Sequence, residues 1–128
     1  MRKITLIIAP AVLLILAAAS AVSATLGVEV QVSPQTLLLD ADQGGEITVH
    51  AAIDYSLVDT DSVTLDGIPA SYTKQDNRGE LVAKFPEWAV KDIVAPPSAT
   101  LVLSGQTVDG ESFSGSDVVR VIAWPCLP

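Results

Sequence analysis

The chain has one cysteine, Cys126, and one histidine, His50. A single thiol excludes an intramolecular disulfide, so packing alone must hold the fold. One His and one Cys make no convincing zinc set. No Gly-x-Ser-x-Gly elbow offers an activated nucleophile, and His50 has no evident catalytic partners. Aromatic residues are 5% of the chain, so the core must come mainly from Val, Leu, Ile and Ala. Basic residues are also scarce, with 7 Lys and Arg against 15 Asp and Glu. Such a chain repels phosphate backbones and anionic membranes, which argues against nucleic acid as a partner and favours high solubility. No helical period runs beyond a turn.

The long apolar run that is present, from Ile4 to Ala19, falls short of the roughly 20 residues that span a bilayer, and Pro10 interrupts it. Arg2 and Lys3 precede it and Ala17-Ala18-Ala19-Ser20-Ala21-Val22-Ser23-Ala24 follows it. That order is the order of a secretory signal peptide. Val22 and Ala24 suit a cut after Ala24, and Ala19 and Ala21 suit a cut after Ala21. An uncleaved anchor is the remaining reading. With no cysteine near the cut, lipoprotein processing is not expected. The expected organisation is a signal peptide over residues 1–24, one domain over 25–124 and a tail over 125–128. The mature chain is expected to be secreted or displayed at the cell surface, with no stable membrane span. Loss of Arg2 and Lys3 leaves 5 basic against 15 acidic residues, a net charge of −10.

The remainder reads as strands and turns. Val28, Val30 and Val32 alternate with Glu29 and Gln31, the period of a half-buried strand. Residues 46–53 alternate in the same way, and Asp40-Ala41-Asp42-Gln43-Gly44-Gly45 is turn chemistry, so residues 37–53 are expected to form a β-hairpin. Residues 57–61 read as a connection. Short strands follow at 63–65, 70–74 and 80–85. Pro86-Glu87-Trp88-Ala89-Val90 suits one helical turn with proline at its start. A last hairpin is expected over residues 100–122, closed by a two-residue Asp109-Gly110 turn, with Gly115 allowing a bulge or bend. Val119 and Val121 fall on one face of its second strand, and Val118, Arg120 and Ile122 on the other. About eight short strands at this spacing point to an all-β, immunoglobulin-like antiparallel sandwich of 7–8 strands.

The closing segment carries Gly105, Asp109-Gly110, Phe113, Gly115-Ser116-Asp117 and Arg120-Val121-Ile122. It resembles the ending T-G-x-x-x-D-G-x-x-F-x-G-S-D-x-I-R-V-I of a β-sandwich accessory module that recurs in secreted and cell-surface proteins of bacteria and archaea. Ser62-Val63-Thr64-Leu65-Asp66-Gly67 is similar to that module's S-V-x-L-N-G strand and turn, and Leu81-Val82-Ala83-Lys84-Phe85 to its L-x-V-K-F strand. The resemblance covers most of residues 62–122. It implies a sandwich with an accessory role, and sandwiches host unrelated activities. The module often carries an oxygen-rich D-x-D-G-D-G-x-x-D loop suited to calcium. Here that place reads Lys74-Gln75-Asp76-Asn77-Arg78-Gly79-Glu80, with too few oxygen donors and two opposing cations. An ordinary solvated turn is expected there.

Asp40, Asp42 and Glu46 are spaced like alternate calcium ligands, although Gly44 stands at the third carboxylate position. Asx-type turn residues explain the same spacing. Asp54, Asp59, Asp61 and Asp66 add acidity to the next loops. The pair Asp59 and Asp61 would serve glycoside hydrolysis only across a cleft, and no enzyme activity is expected. Trp88 is expected to plug one end of the core, as lone tryptophans commonly do. The alternative is that Trp88, with Tyr72 and Tyr55 on the rim, stacks on sugar rings. Trp124 reads as a cap on the last strand. Cys126 is either a tolerated tail residue or the site of an intermolecular disulfide. Taken together, these features fit a secreted structural or protein-interaction component of the cell envelope or matrix, acting through protein contacts or self-association. Polysaccharide binding is the alternative, and a hydrolase is the least supported reading.

Overall fold

The computed structural model describes residues 25–123. The signal segment, Trp124 and Cys126 lie outside the described residues. Ten strands form among them: β1 (Leu26–Gly27), β2 (Val30–Ser33), β3 (Thr36–Leu38), β4 (Glu46–Asp54), β5 (Val58–Leu65), β6 (Ile68–Pro69), β7 (Tyr72–Gln75), β8 (Glu80–Pro86), β9 (Ser98–Thr107) and β10 (Ser112–Ile122). One short helix, α1 (Glu87–Lys91), follows β8, and a single 3-10 turn links β4 to β5.

The strands make two sheets, and the fold is an all-β sandwich, as the strand pattern predicts. One sheet runs β1-β10-β9-β5-β6, with β3 also joined to β10, and the other runs β2-β4-β8-β7. Period-two alternation decides which side chains meet between them. Ile47, Val49, Ala51 and Ile53 of β4 and Leu81, Ala83 and Phe85 of β8 point inward from one sheet. Leu101 and Leu103 of β9 and Phe113, Val119 and Val121 of β10 meet them from the other. Each of the larger side chains contributes about 1.5–3 kcal/mol by leaving water. This core needs no disulfide.

The N-terminal segment crosses from one sheet to the other. β1 pairs with Phe113 and Ser114 of β10, whereas β2 pairs with β4. Between them, Val28 donates its N–H to the Ser114 carbonyl at 3.0 Å, and Ala52 donates to the Glu29 carbonyl at 2.9 Å. Gly115 makes room for the crossing. A Cβ there would lie 2.1 Å from the Val28 carbonyl oxygen. The β9–β10 register continues through Gly115 opposite Leu103, so of the bulge or bend expected there no bulge forms, and the glycine serves close approach. Asp117 ties the same edge together. Its carboxylate accepts from Val32 N at 2.9 Å, Gln35 Nε2 at 2.7 Å and Val118 N at 2.9 Å. Burial alone would raise this carboxyl, but the three donors outweigh it and hold it below its ordinary value.

Three local expectations need correction. Residues 37–53 are not a hairpin, because β3 pairs in parallel with β10 in one sheet while β4 lies in the other. Alternation reports which face is buried and not which strand is the neighbour. Residues 57–61 are not a connection, since β5 begins at Val58 and pairs Val58 with Thr107 and Asp59 with Gln106. The last turn is longer than two residues. Thr107 donates to the Glu111 carbonyl at 2.7 Å and Gly110 to the Thr107 carbonyl at 2.9 Å, with Gly110 at φ +87°. This is the three-residue hairpin loop that needs a left-handed glycine in last place.

Candidate functional site

β8 delivers the chain from the buried Phe85 to Pro86, whose φ of −65° leads into α1. Within that one helical turn, Glu87 and Lys91 stand four residues apart on one face. The Lys91 Nζ donates to the Glu87 carboxylate at 2.5 Å and to the Ala41 carbonyl at 2.6 Å. The carboxylate also accepts from Gln43 N at 2.9 Å and Gly45 N at 2.7 Å. Glu87 is only 6% exposed. The Lys91 bond, then the N–H groups of Gln43 and Gly45, outweigh burial and lower its pKa from 4.5 to about 2. The pair thus fastens the loop of residues 40–45 to the helix.

Trp88 is carried on this rigid mount and is 75% exposed. The expected core plug is therefore not what the fold makes of it. Val90, two residues on, takes the inward position instead. Trp88 borders a groove of about 640 Å³ lined also by Leu39, Ala41, Gly45 and the carboxyl-bearing Asp40, Asp42 and Asp92. Exposed Leu38 and Ile93 belong to the segments that flank it. The result is an exposed surface that combines apolar and acidic side chains.

Tyr72 is 48% exposed but lines a different depression, between β5 and β7, with Thr60, Asp61 and Ala70. Trp88 and Tyr72 therefore do not form one platform. Tyr55 is only partly exposed, and its hydroxyl lies 3.3 Å from Thr73 Oγ1.

The candidate calcium residues separate as well. Asp42 accepts from Gly44 N at 3.0 Å, an Asx turn, and Glu46 is exposed at the start of β4. Among the described residues, no three His, Cys, Asp or Glu side chains gather as a metal-holding group. The other loop acids are likewise used locally. Asp54 accepts from Ser56 N at 3.0 Å, Asp59 from Asp61 N at 3.3 Å and Asp66 from Val102 N at 3.0 Å. Asp76 accepts from Arg78 N at 2.8 Å and Glu80 N at 3.0 Å. The Glu80 bond in particular holds its carboxyl below the ordinary range.

The outer face of the four-stranded sheet carries a feature that the sequence hid. Register places Tyr72 opposite Lys84, Lys84 opposite Thr48, and Thr48 opposite Ser33. The next row is Lys74, Val82, His50 and Gln31. Lys84 Nζ donates to Thr48 Oγ1 at 2.8 Å. Lys74, Lys84 and His50 thus surround Val82 within about two strand spacings, roughly 10 Å. They line a shallow pocket of about 260 Å³ with Thr48, Gln75 and Asn77. His50 is outward, as its strand phase predicts.

A fourth depression, of about 990 Å³, runs beside the N-terminal crossing. Its lining includes Asp117, both of whose oxygens accept from the donors described above, and Asp76, whose Oδ1 does. No family model, no curated protein and no solved structure matches this chain.

Proposed function

We propose that this chain is a non-catalytic interaction module of the cell envelope or extracellular matrix, and that it meets a protein partner through Trp88. The observation that carries this reading is the 75% exposure of Trp88 on a mount fixed by the Glu87–Lys91 pair. A rigid aromatic loses little side-chain entropy on docking and gains from burial, and tryptophan is enriched among residues that dominate interfaces. Leu39 lines the groove with Trp88, exposed Leu38 and Ile93 lie in the flanking segments, and Asp40, Asp42 and Asp92 add carboxylates. Protein contacts likewise combine apolar and polar surface.

Carbohydrate binding is the second reading. It is favoured by the carboxylates that line the groove with Trp88, since carboxylates accept sugar hydroxyls and the ring is largely exposed. One experiment addresses both. Purified residues 25–128, wild type and Trp88→Ala, are titrated onto envelopes of the producing cell. Loss of about tenfold or more in affinity with Trp88→Ala is expected, and equal binding of the two proteins refutes the reading. Protease treatment of the envelopes should then remove the sites if the partner is protein. Periodate oxidation should remove them if it is glycan.

A further inference from the structure

The Lys74–Lys84 patch on the outer face of the four-stranded sheet and the acidic lining of the Trp88 groove are opposite in charge. All five Lys and Arg of residues 25–128, and the one His, lie in the described fold. No Lys, Arg or His occurs between His50 and Lys74, or between Lys91 and Arg120. Lys91 is consumed by Glu87. Lys74 and Lys84 therefore form the one grouped pair of lysines among the described residues, with the His50 imidazole beside them and Arg78 in the adjoining loop. Arg78 faces Glu80 at 3.7 Å. The anions near this face are Asp76, which is turned onto backbone N–H groups, Glu46, two residues before Thr48 at its far end, and Glu29 and Glu80, which border His50 on the side away from Lys84, so the basic patch proper is Lys74 and Lys84. Tyr72 stands beside Lys84 and adds an aromatic surface.

We propose that the Trp88 groove of one molecule docks on this face of a second copy of the same chain. The proposal rests on the reading of the Trp88 groove as a protein contact, and it names the partner. Asp40, Asp42 and Asp92 meet Lys74, Lys84 and His50 of the second copy, while Trp88 lies against Tyr72 and the lysine stems. Such an arrangement combines opposite charge with cation–π attraction. The two surfaces differ, so the contact is heterologous, and its rotation decides between a closed ring and an open chain.

Light scattering after size-exclusion chromatography tests this on residues 25–128, which hold the whole described sandwich, with reductant present. Concentrations up to about 1 mM capture a Kd in the upper micromolar range. The wild-type mass should rise with concentration. Trp88→Ala and Lys74→Glu, both at exposed positions, should each stay monomeric. Their equimolar mixture should recover a heterodimer through the one contact left intact. A wild type that stays monomeric overturns the proposal, and so does Lys74→Glu associating like wild type. In the first case, loss of envelope binding by Trp88→Ala would leave the Trp88 reading standing with a different partner. If the wild type is monomeric yet binds polygalacturonate, and Lys74→Glu does not, the face takes an acidic glycan and the self-association assignment is wrong.

Discussion

Joint replacement of Glu87 and Lys91, as Glu87→Gln with Lys91→Met, should flatten part of the acid dependence of stability. The Glu87 carboxyl falls from 4.5 in an ordinary setting to about 2 in the fold. A depressed carboxyl contributes stability that is fully present above its ordinary pKa and is lost as pH falls through the folded value. The window is therefore pH 4.5 down to about 2. At about 1.4 kcal/mol per unit, the shift corresponds to about 3 kcal/mol, and solvent screening at the open groove reduces this to about 2 kcal/mol. The double replacement is the right perturbation. Glu87→Gln alone would strand the Lys91 ammonium, at a cost of about 3–5 kcal/mol, whereas exchange of the whole pair is often close to neutral. The introduced amide oxygen would still accept from Gln43 N and Gly45 N. Urea midpoints from about pH 7 to about pH 2 give the measurement. Asp76 and Asp117 titrate in both proteins and cancel in the difference. Wild type should lose about 2 kcal/mol more than the variant between about pH 5 and pH 2. Parallel curves would show that the pair does not hold the carboxyl down.

Gly115→Ala should cost more than about 2 kcal/mol, because its new methyl meets backbone rather than a movable side chain; hydrogen exchange should show the Val28 and Ala52 amides losing protection first. Asp117→Ala removes the acceptor of Val32 N and Gln35 Nε2 and should lower stability by about 1–3 kcal/mol in urea titrations at about pH 7. Leu103→Ala, at a fully buried position, should cost about 2–5 kcal/mol by the same assay. Trp88→Ala should change folding stability by less than about 0.5 kcal/mol, since the ring is mostly in water; a loss above about 2 kcal/mol would restore a packing role for it.

Much of the sandwich can be read from residue order because strand periodicity is a local property. Leu81, Ala83 and Phe85 announce an inward face, as do Val119 and Val121, and the structure buries all five. Pairing partners are not local. Nothing in residues 36–38 says that they lie beside β10, some 80 residues away, rather than beside β4. The candidate site divides along the same line. The helical turn after Pro86 was legible, whereas the Glu87–Lys91 pair was not read from it, and its hold on Gln43 and Gly45 depends on how the loop returns. Trp88 was legible as a candidate, but its exposure was not. One turn of helix sets whether Trp88 or Val90 takes the inward place. The cationic face was hidden because His50, Lys74 and Lys84 come from three strands, and only register makes them neighbours.

The two short parallel pairings of β10 have a mechanical consequence. β1 and β3 run in the same direction as β10 and are bonded near its opposite ends. Tension applied between residues 25 and 123 pulls β1 backward along its axis and β10 forward along its own. The hydrogen bonds that join them are then loaded in shear, together, instead of being opened one at a time from an end. When the molecule is pulled between its two ends, the N-terminal edge would act as a force clamp, and Gly115 is the position that lets that clamp close.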